Sequence, residues 1–251
     1  MNISVCMATY NGEKYIVEQM TSILQQLTHD DEVIVIDDSS NDNTLKILKD
    51  LNDPRIKIYL NDRTRSHVFS FGRAISLAKN DIVFMSDQDD IWIKDRVSLM
   101  VKKLLDTGSL LVSSNFEFID MNGEKMYYPV DGVKSSNSSK HFKNILDIFV
   151  GKTNYYGCAM AFRKDMVRLI LPIPSFVESH DLWISLASNL MGSNAHLDEK
   201  TLKKRVHNNN AASTLKRGLL PKLWSRVIFM ISIIVLLLRA KKCSVNQGRQ
   251  I

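Results

Sequence analysis

The residues Phe84-Met85-Ser86-Asp87-Gln88-Asp89-Asp90-Ile91-Trp92 join an apolar run to three carboxylates within four positions. The run that ends at Met85 is typical of a strand buried on both faces. Carboxylates fixed at a strand end repel one another unless a cation neutralises them, and Mg²⁺ or Mn²⁺ is the natural cation because hard divalent ions prefer oxygen ligands. Such ions usually complete their coordination with water and phosphate oxygens, so the stretch indicates a metal-dependent site for a phosphorylated ligand. The alternative is a solvated turn in which Asp90 caps a helix that begins near Ile91.

Strand-like and helix-like patterns alternate on both sides of this stretch. The predicted strands run from Ile3 to Ala8, Glu32 to Ile36, Ile56 to Leu60 and Asp81 to Met85, with two less regular strands from Ser109 to Ser114 and from Phe116 to Asp120. The predicted helices run from Tyr15 to Leu27, Asn43 to Leu51, Phe71 to Ala78 and Asp95 to about Leu105. This alternation predicts crossover units and an α/β fold with a mostly parallel central sheet.

Polar clusters follow three of the predicted strands. They are Thr9-Tyr10-Asn11 after the first strand, Asp37-Asp38 after the second and Asp87 to Asp90 after the fourth. In open α/β sheets, ligands bind beyond the carboxyl ends of the strands. We therefore expect the three clusters to meet at one edge of the sheet and to form the binding site.

Several separated motifs together resemble the family-2 glycosyltransferases, whose nucleotide-sugar-binding fold is of the A type. The matching residues are Val5 to Asn11 with Gly12-Glu13 and Tyr15, Val35 to Ser40 with Asp42 and Thr44, Phe84 to Trp92, Tyr156 to Met160, Ser179 to Trp183, and Arg205 with His207. Their order and spacing fit a catalytic domain over residues 1–215. The form of the Asp87 to Trp92 segment, with His180-Asp181 further on, is most similar to the bacterial rhamnosyltransferase branch, which uses dTDP-rhamnose.

The resemblance implies which residues bind the nucleotide-sugar donor. Those residues are Thr9, Tyr10, Asn11, Glu13, Asp38, Asp87 and Gln88. Among them, Thr9 and Tyr10 would line the base pocket, and Asp38 would accept the imide proton of a uracil or thymine. Asp87 would lie near the ribose.

The resemblance also implies a metal site and a general base. Asp89 would hold Mn²⁺ or Mg²⁺ on the diphosphate, with His207 as a further metal contact, although a structural histidine is the alternative. Family members often have Tyr where this chain has Lys204, so the contacts around His207 should differ from those of the family. Asp181 corresponds to the general base, and an Asp that merely favours a helix N-terminus is the alternative there. A carboxylate base and a metal are what an inverting single displacement requires.

The carboxyl-terminal part of the chain differs from the rest in charge. Residues 200–251 contain twelve Lys or Arg and no Asp or Glu, whereas the whole chain carries a net charge of +6. The apolar run from Val227 to Leu238 lies between basic residues and would rise only about 18 Å as a helix, less than a ~30 Å hydrocarbon core. We therefore expect residues 216–251 to form a basic membrane-associating tail with an apolar or amphipathic helix on an anionic membrane surface, rather than to bind nucleic acid. A helix buried against the catalytic domain is the alternative.

These features predict an inverting, metal-dependent glycosyltransferase of the hexosyltransferase class. It would move a sugar, rhamnose from dTDP-rhamnose by the narrower resemblance, to a cell-surface polysaccharide or lipid-linked acceptor. Met1 to Tyr10 shows no secretory signal, so we expect a peripheral or monotopic protein at the cytoplasmic membrane face. Two alternatives are a nucleotidyltransferase, which would typically have a Gly-rich phosphate loop that Tyr10 to Lys14 lacks, and a catalytically inactive membrane-bound adaptor, which would be expected to have lost a key carboxylate.

Overall fold

The computed structural model describes residues 1–62, 66–152, 155–207 and 218–247. The strands are β1 Ile3–Thr9, β2 Glu32–Asp37, β3 Ile56–Leu60, β4 Ile82–Ser86, β5 Ile91–Trp92, β6 Leu111–Ile119, β7 Met160–Arg163 and β8 Asn194–Arg205. The helices are α1 Ile16–Leu24, α2 Thr44–Asp50, α3 His67–Leu77, α4 Arg96–Thr107, α5 His141–Val150, α6 Val167–Ile170, α7 His180–Leu190 and α8 Leu219–Gln247. The expected boundary between a catalytic domain and a tail, after residue 215, lies outside the described residues.

One mixed sheet of eight strands runs in the order β3-β2-β1-β4-β7-β6-β8-β5. Strands β1 to β4 pair in parallel, and β6 pairs in parallel with β8. The antiparallel strands are β7, which lies between β4 and β6, and the short β5 at the edge beside β8. The expectation of an α/β fold with a mostly parallel sheet is confirmed.

Hydrophobic residues cover both faces of the central strands. On β1, Val5 and Met7 contribute to one core cluster and Cys6 to the other, and all three are fully buried. Ile34 and Ile36 of β2 likewise alternate with Val33 and Val35 between the two clusters. Continuous apolar runs of this kind are expected when helices cover both faces of a parallel sheet. The strands are therefore held in place on two sides, and their carboxyl ends form a rigid edge.

Two sequence expectations are corrected by the strands that follow the acidic stretch. Ile91–Trp92 is strand β5 and the next helix begins at Arg96, so Asp90 caps no helix and the solvated-turn alternative is wrong. The two strands predicted on either side of Asn115 are one strand, β6, whose register with β8 shifts between Ser113 and Phe116. The local irregularity in the ladder accounts for the break that we predicted from the sequence.

Helix α8 is longer than predicted and packs against the domain along one side. It spans 29 residues and contacts α6 and α7. Leu236 is 1% exposed and Ser232 is 5% exposed on the packed side. Arg239 donates to the carbonyl oxygens of Leu169 and Pro172. The helix is thus docked on the domain, as the alternative from the sequence has it, and a second apolar face is exposed; the membrane association of this helix stays a prediction.

Candidate active site

The structure brings together Asp89 and His207, which the sequence analysis paired as metal ligands. Oδ2 of Asp89 lies 2.7 Å from Nε2 of His207. The His207 ring stacks on Tyr15 with 5.4 Å between ring centroids. Both side chains of the pair are close to nine-tenths buried, at 10% and 12% exposure. A carboxylate oxygen and an imidazole nitrogen on neighbouring segments are a donor set that fits a Mn²⁺ or Mg²⁺ ion completed by phosphate and water oxygens.

Arg205 holds in place the backbone of residues 87–90, which we call the acidic loop. Its backbone N–H donates to Oδ1 of Asp90 over 2.9 Å, and its Nε donates to the carbonyl oxygen of Asp89 over 2.9 Å. Its Nη2 donates to Glu18 on α1 over 2.6 Å, and its guanidinium lies 4.5 Å from the centre of the Tyr15 ring. Because Arg205 is 2% exposed, these contacts form a fixed support beneath the loop rather than a contact available to a ligand.

Lys204 supplies a positive charge beside the same loop. Its Nζ lies 3.0 Å from Oδ2 of Asp87 and 3.9 Å from Oδ2 of Asp90. Burial disfavours the charged lysine, but Asp90, Cys158 and Asp87 outweigh that effect and raise the pKa of Lys204 well above its usual value. Burial works to raise the pKa of Asp87, but Lys204 lowers it overall, whereas burial raises the pKa of Asp90 to about 7. The loop therefore contains an ionised Asp87 next to an ionised Lys204.

Gln88 fixes the backbone of Tyr10 with both ends of its side-chain amide. Its Oε1 accepts from the backbone N–H of Tyr10 over 2.9 Å, and its Nε2 donates to the carbonyl oxygen of Tyr10 over 3.0 Å. A Cβ at Gly12 would lie 2.4 Å from Oε1 of Gln88, so this approach requires glycine. The structure thus places Gln88 as a link between β1 and β4. The Tyr10 side chain, 49% exposed, is open to a ligand.

Thr9 and Asp38, the predicted donor-binding residues at the ends of β1 and β2, both make hydrogen bonds within the protein. Thr9 is buried, and its hydroxyl donates to Asp37 over 2.9 Å, so its polar atom is used within the protein. Asp38 is 8% exposed, and its Oδ1 accepts from Nδ2 of Asn61 over 2.7 Å. Asn61, which the sequence analysis did not single out, therefore orients the carboxylate that would read a pyrimidine base.

Asn11 and Glu13 connect the first loop to the segment after β2. Oδ1 of Asn11 accepts from the backbone N–H of Asn41 over 2.9 Å. Oε2 of Glu13 accepts from the backbone N–H and the Nδ2 of Asn43, over 2.9 and 2.8 Å. Asn11 has a φ of 48°, in the left-handed region that Asn tolerates better than most residues. Both side chains thus hold the two loops together, and both are exposed at the edge of the site.

Asp181 lies in the first turn of α7, beside the segment that precedes β7. Its Oδ1 accepts from the Ser179 hydroxyl and, over 2.9 Å, from the Leu182 backbone N–H. A Cβ at Gly157 would lie 3.5 Å from Cβ of Asp181, while the next residue, Cys158, lies 3.4 Å from Nζ of Lys204. Gly157 therefore lies beside the predicted base, and the next residue, Cys158, contacts Lys204, which in turn contacts Asp87 of the acidic loop.

The residues that sequence reasoning missed are those that support the site from distant segments. Lys204, for example, lies 117 positions from its partner Asp87. Gln19 of α1 donates to Ser86 and to the carbonyl oxygen of Asp87, which ties the start of the acidic loop to a helix. The one signal in the sequence was the matched Arg-x-His segment, whose departure at Lys204 marked a change in local contacts.

Comparisons with known proteins bear on the family and the fold of the chain. Shigella flexneri dTDP-rhamnosyl transferase RfbG is 28% identical over 219 residues, which cover 81% of this chain and 72% of that protein. Escherichia coli UDP-Glc:alpha-D-GlcNAc-diphosphoundecaprenol beta-1,3-glucosyltransferase WfgD is 29% identical over 120 residues, about half of each protein at 48% and 47%. The structure of S. aureus TarS in complex with UDP-GlcNAc, 20% identical, superimposes with a TM-score of 0.68 over 93% of this chain and 67% of that one, which shows the same fold. The model of the family Glycosyl transferase family 2 matches residues 4–171, well over half of the chain, and the protein therefore belongs to that family.

Proposed function

We propose that the protein is an inverting glycosyltransferase that moves a sugar from a nucleotide-sugar donor to a glycan or lipid-linked acceptor in polysaccharide biosynthesis. Family membership supports transfer from a nucleotide sugar. The observation that carries the proposal is the position of Asp181, which Gly157 and Cys158 connect to the acidic loop. A base beside a cluster of donor-binding carboxylates is the arrangement that a single displacement needs.

Asp181 performs the proton transfer in this proposal. Its Oδ1 is held by Ser179 and Leu182, so the carboxylate has a fixed orientation from which Oδ2 can accept the proton of an acceptor hydroxyl. The acceptor oxygen then forms the new bond to the anomeric carbon as the bond to the diphosphate breaks. The configuration of that carbon inverts because attack and departure occur on opposite sides. The products are the glycosylated acceptor and a nucleoside diphosphate.

Asp89 and His207 are proposed to hold the divalent ion, Mn²⁺ or Mg²⁺. Such an ion, when bound, stabilises the charge that develops on the leaving diphosphate. Asp38, oriented by Asn61, would accept from the imide N–H of a uracil or thymine. The exposed ring of Tyr10, fixed by Gln88, would lie against the base or ribose.

The donor proposed is dTDP-rhamnose. RfbG, which carries that activity in its name, aligns over 81% of this chain, whereas WfgD, named for UDP-Glc, aligns over 48%. A panel of dTDP-rhamnose, UDP-Glc and UDP-GlcNAc should be compared by calorimetric binding with Mn²⁺ or Mg²⁺. We expect dTDP-rhamnose to bind most tightly. Equal or tighter binding of a UDP-sugar would contradict the donor assignment while leaving glycosyl transfer in place.

Product analysis separates the alternatives. Glycosyl transfer, or slow donor hydrolysis, releases a nucleoside diphosphate, and the transferred sugar has the inverted configuration by NMR. A nucleotidyltransferase would instead form the nucleotide sugar with release of pyrophosphate. A catalytically inactive adaptor would release neither with any donor. Release of pyrophosphate, or retention of configuration, would overturn the proposal.

The second apolar face of α8 is proposed to lie on the anionic surface of the membrane, at its cytoplasmic side. Within residues 220–243, the exposed large apolar residues recur at helical spacing: Leu220, Leu223, Trp224, Val227, Met230, Ile231, Ile234, Leu237 and Leu238. Lys222, Lys241 and Lys242 provide positive charges near the two ends of this face. Apolar residues bordered by basic ones are typical of helices that lie in the lipid interface.

The same helix is long enough to span a membrane. Leu220–Cys243, with a mean hydropathy of 2.0, is long and apolar enough by length and composition to cross a membrane. Our expectation that the apolar segment is too short was wrong, because 24 helical residues rise about 36 Å. The proposal of a helix in the plane of the membrane now rests on packing, since Leu236 and Ser232 are buried against the domain. A helix that crossed the bilayer in this orientation would bring α6 and α7 into the hydrocarbon.

Vesicle binding tests the membrane proposal. The full chain should float with vesicles that contain phosphatidylglycerol and not with pure phosphatidylcholine vesicles. Replacing Ile234 and Leu238 together with glutamate should abolish flotation while donor affinity stays unchanged, because both side chains are exposed on the outer face. A matched control, Arg168→Gln, removes a positive charge from α6 and should leave flotation intact. Flotation of the Ile234/Leu238 variant, or absence of flotation by the wild-type chain, would contradict the proposal.

A further inference from the structure

Three side chains near the donor site could hold a cation other than the one proposed above. Asp87, Asp90 and Cys158 each offer one ligand atom, and these atoms lie within 4.8 Å of one another. Cys158 and Asp90 are at most 2% exposed. Oδ2 of Asp90 makes no hydrogen bond within the part of the chain that the structure describes. By composition, a carboxylate pair with a thiol is a plausible site for a divalent transition metal.

The ammonium group of Lys204 already occupies the space between these atoms. Its Nζ lies 3.0 Å from Oδ2 of Asp87, 3.4 Å from Sγ of Cys158 and 3.9 Å from Oδ2 of Asp90. A metal bound by the same three atoms would be about 2.0–2.3 Å from each of them, which is the volume that Nζ fills. The lysine and a metal ion therefore exclude one another at this cluster.

The position of Lys204 is fixed by the strand that carries it. Lys204 belongs to β8 and pairs with Phe118 of β6, and its Nζ lies 5.5 Å from the centre of the Tyr156 ring. The next residue, Arg205, is anchored to Asp89 and Asp90. The side chain of Lys204 is 13% exposed. Since the backbone on both sides is held by the sheet and by Arg205, the ammonium group is directed into the acidic cluster.

We propose that Lys204 acts as a built-in cation that takes the place of a divalent ion at Asp87, Asp90 and Cys158. It thereby holds the Asp87 carboxylate in place for the donor through the 3.0 Å contact with Nζ, and it confines divalent metal to Asp89 and His207. The second half of this inference rests on the proposed metal site of the transferase. The first half rests on the geometry of the cluster alone. Lys204 is a positioning residue in this account, because it acts on the ligand through Asp87.

Cobalt spectroscopy distinguishes this role from that of an ordinary structural ion pair. Co²⁺ bound to a thiolate gives a charge-transfer absorption that oxygen and nitrogen ligands do not give, and metal binding deprotonates the thiol. The Cys243→Ser chain serves as the reference protein, because it removes a half-buried cysteine on α8. With Co²⁺ alone as the probe, this reference should show no thiolate band.

Removal of the lysine charge should create the missing metal site. Lys204→Met in the reference chain should show the thiolate band and bind one more Co²⁺ by equilibrium dialysis. Cys158→Ser added to that variant should remove the band. Lys204→Arg, which keeps the charge, should show no band. If Lys204→Met is folded by circular dichroism yet gains neither band nor ion, Lys204 excludes nothing and the proposal is overturned.

A second variant keeps the test valid if Lys204→Met does not fold. Asp89→Asn retains Lys204 and removes one of the two proposed metal ligands, so it should lose Co²⁺ binding without any thiolate band. A thiolate band in this variant or in the reference chain would show that the cluster binds metal in the presence of Lys204, and would overturn the inference. These readouts require no sugar transfer. Failure of the transferase proposal would appear instead as an absence of donor turnover, with the cobalt spectra unchanged.

Discussion

Carboxylates near the amino ends of the parallel strands and carboxylates near their carboxyl ends have different roles. At the amino-terminal edge, both oxygens of Asp31 accept hydrogen bonds, from Ile3 and from Thr28, and both oxygens of Glu32 are used as well. At the carboxyl-terminal edge, Asp181 accepts hydrogen bonds through Oδ1 only, among the residues that the structure describes, and Oδ2 of Asp90 accepts none. Asp31 and Glu32 at the first edge are satisfied by the fold, whereas Asp181 at the second edge keeps one oxygen for a ligand.

The difference shows that a buried carboxylate is not by itself a sign of a site. Glu32 is 3% exposed and Asp89 is 7% exposed, so burial does not distinguish them. What distinguishes them is their partners. Glu32 accepts from Lys57, Ser4 and the Lys79 backbone, while Asp89 faces His207, a side chain that can itself bind metal. Substitutions at the two edges should therefore have opposite effects on activity and on stability.

The largest expected effect is that of Asp181→Asn. This change keeps the size of the side chain and removes the base, so kcat should fall by about 10²–10⁴-fold while the donor Kd stays within a few-fold of the wild-type value. Steady-state kinetics and calorimetric donor binding measure the two quantities. Glu178→Gln is the matched control, because Glu178 is three residues earlier and accepts from Ser225 on α8. If Glu178→Gln loses activity while Asp181→Asn keeps more than about a tenth of it, the base has been misassigned.

Asp89→Asn should have the next largest effect. Loss of a metal-binding carboxylate should weaken donor affinity in the presence of Mn²⁺ by about 10–100-fold. The asparagine is preferable to alanine because Asp89 is nearly buried against His207, and a cavity there would lower stability as well. In EDTA the wild-type chain and the variant should bind donor equally. A wild-type affinity that EDTA leaves unchanged would contradict metal dependence.

The strands that end at the candidate site were predictable from the sequence, whereas the residues of β8 that hold the acidic loop were not. The apolar runs of β1, β2 and β4 are continuous because both faces are buried, so the ends predicted at Ile36 and Met85 lie within one residue of the observed ends at Asp37 and Ser86. The supports Lys204 and Arg205 come from β8, more than a hundred positions away, and no local pattern indicates which distant strand will pair. The docking of α8 was also ambiguous, because both of its faces are apolar and periodicity does not show which one packs.

Alanine substitutions at two glycines, Gly12 and Gly72, should have moderate and opposite effects on stability. Alanine at Gly12 would place Cβ 2.4 Å from Oε1 of Gln88, so it should disrupt the link to Tyr10 and cost about 1–3 kcal/mol, measured as donor affinity and thermal stability. Gly72→Ala is the control. Gly72 lies within α3, and its added Cβ would meet Ile173 at an ordinary 3.6 Å. That variant should be about 0.5–1 kcal/mol more stable, since alanine favours a helix interior. Equal thermal stability and donor affinity of the two variants would show that the Gln88 side chain moves aside without loss of stability.

Glu32→Gln at the opposite edge should change stability and leave activity unchanged. Glu32 accepts from Lys57 over 2.5 Å, from the Ser4 hydroxyl over 2.6 Å and from the Lys79 backbone N–H over 2.8 Å. Glutamine keeps one acceptor oxygen and loses the ionic contact with Lys57, so the free energy of unfolding should fall by about 1–2 kcal/mol near pH 7. The donor Kd and kcat should equal the wild-type values. A changed kcat would show that the two edges are not independent.

The pH dependence of that stability difference sharpens the contrast between the two edges. Burial works to raise the pKa of Glu32, but the hydrogen bonds from Lys57, Ser4 and Lys79 outweigh it, and the pKa lies below its usual value. A carboxyl with a lowered folded-state pKa adds stability that is present above its unfolded pKa, about 4.3, and is lost as pH falls through the folded value. The wild-type chain should thus lose its advantage over Glu32→Gln between about pH 4.3 and lower pH. Urea titrations of both proteins at several pH values measure the difference, and a gap that stays constant on acidification would show that the Glu32 charge does not stabilise the fold.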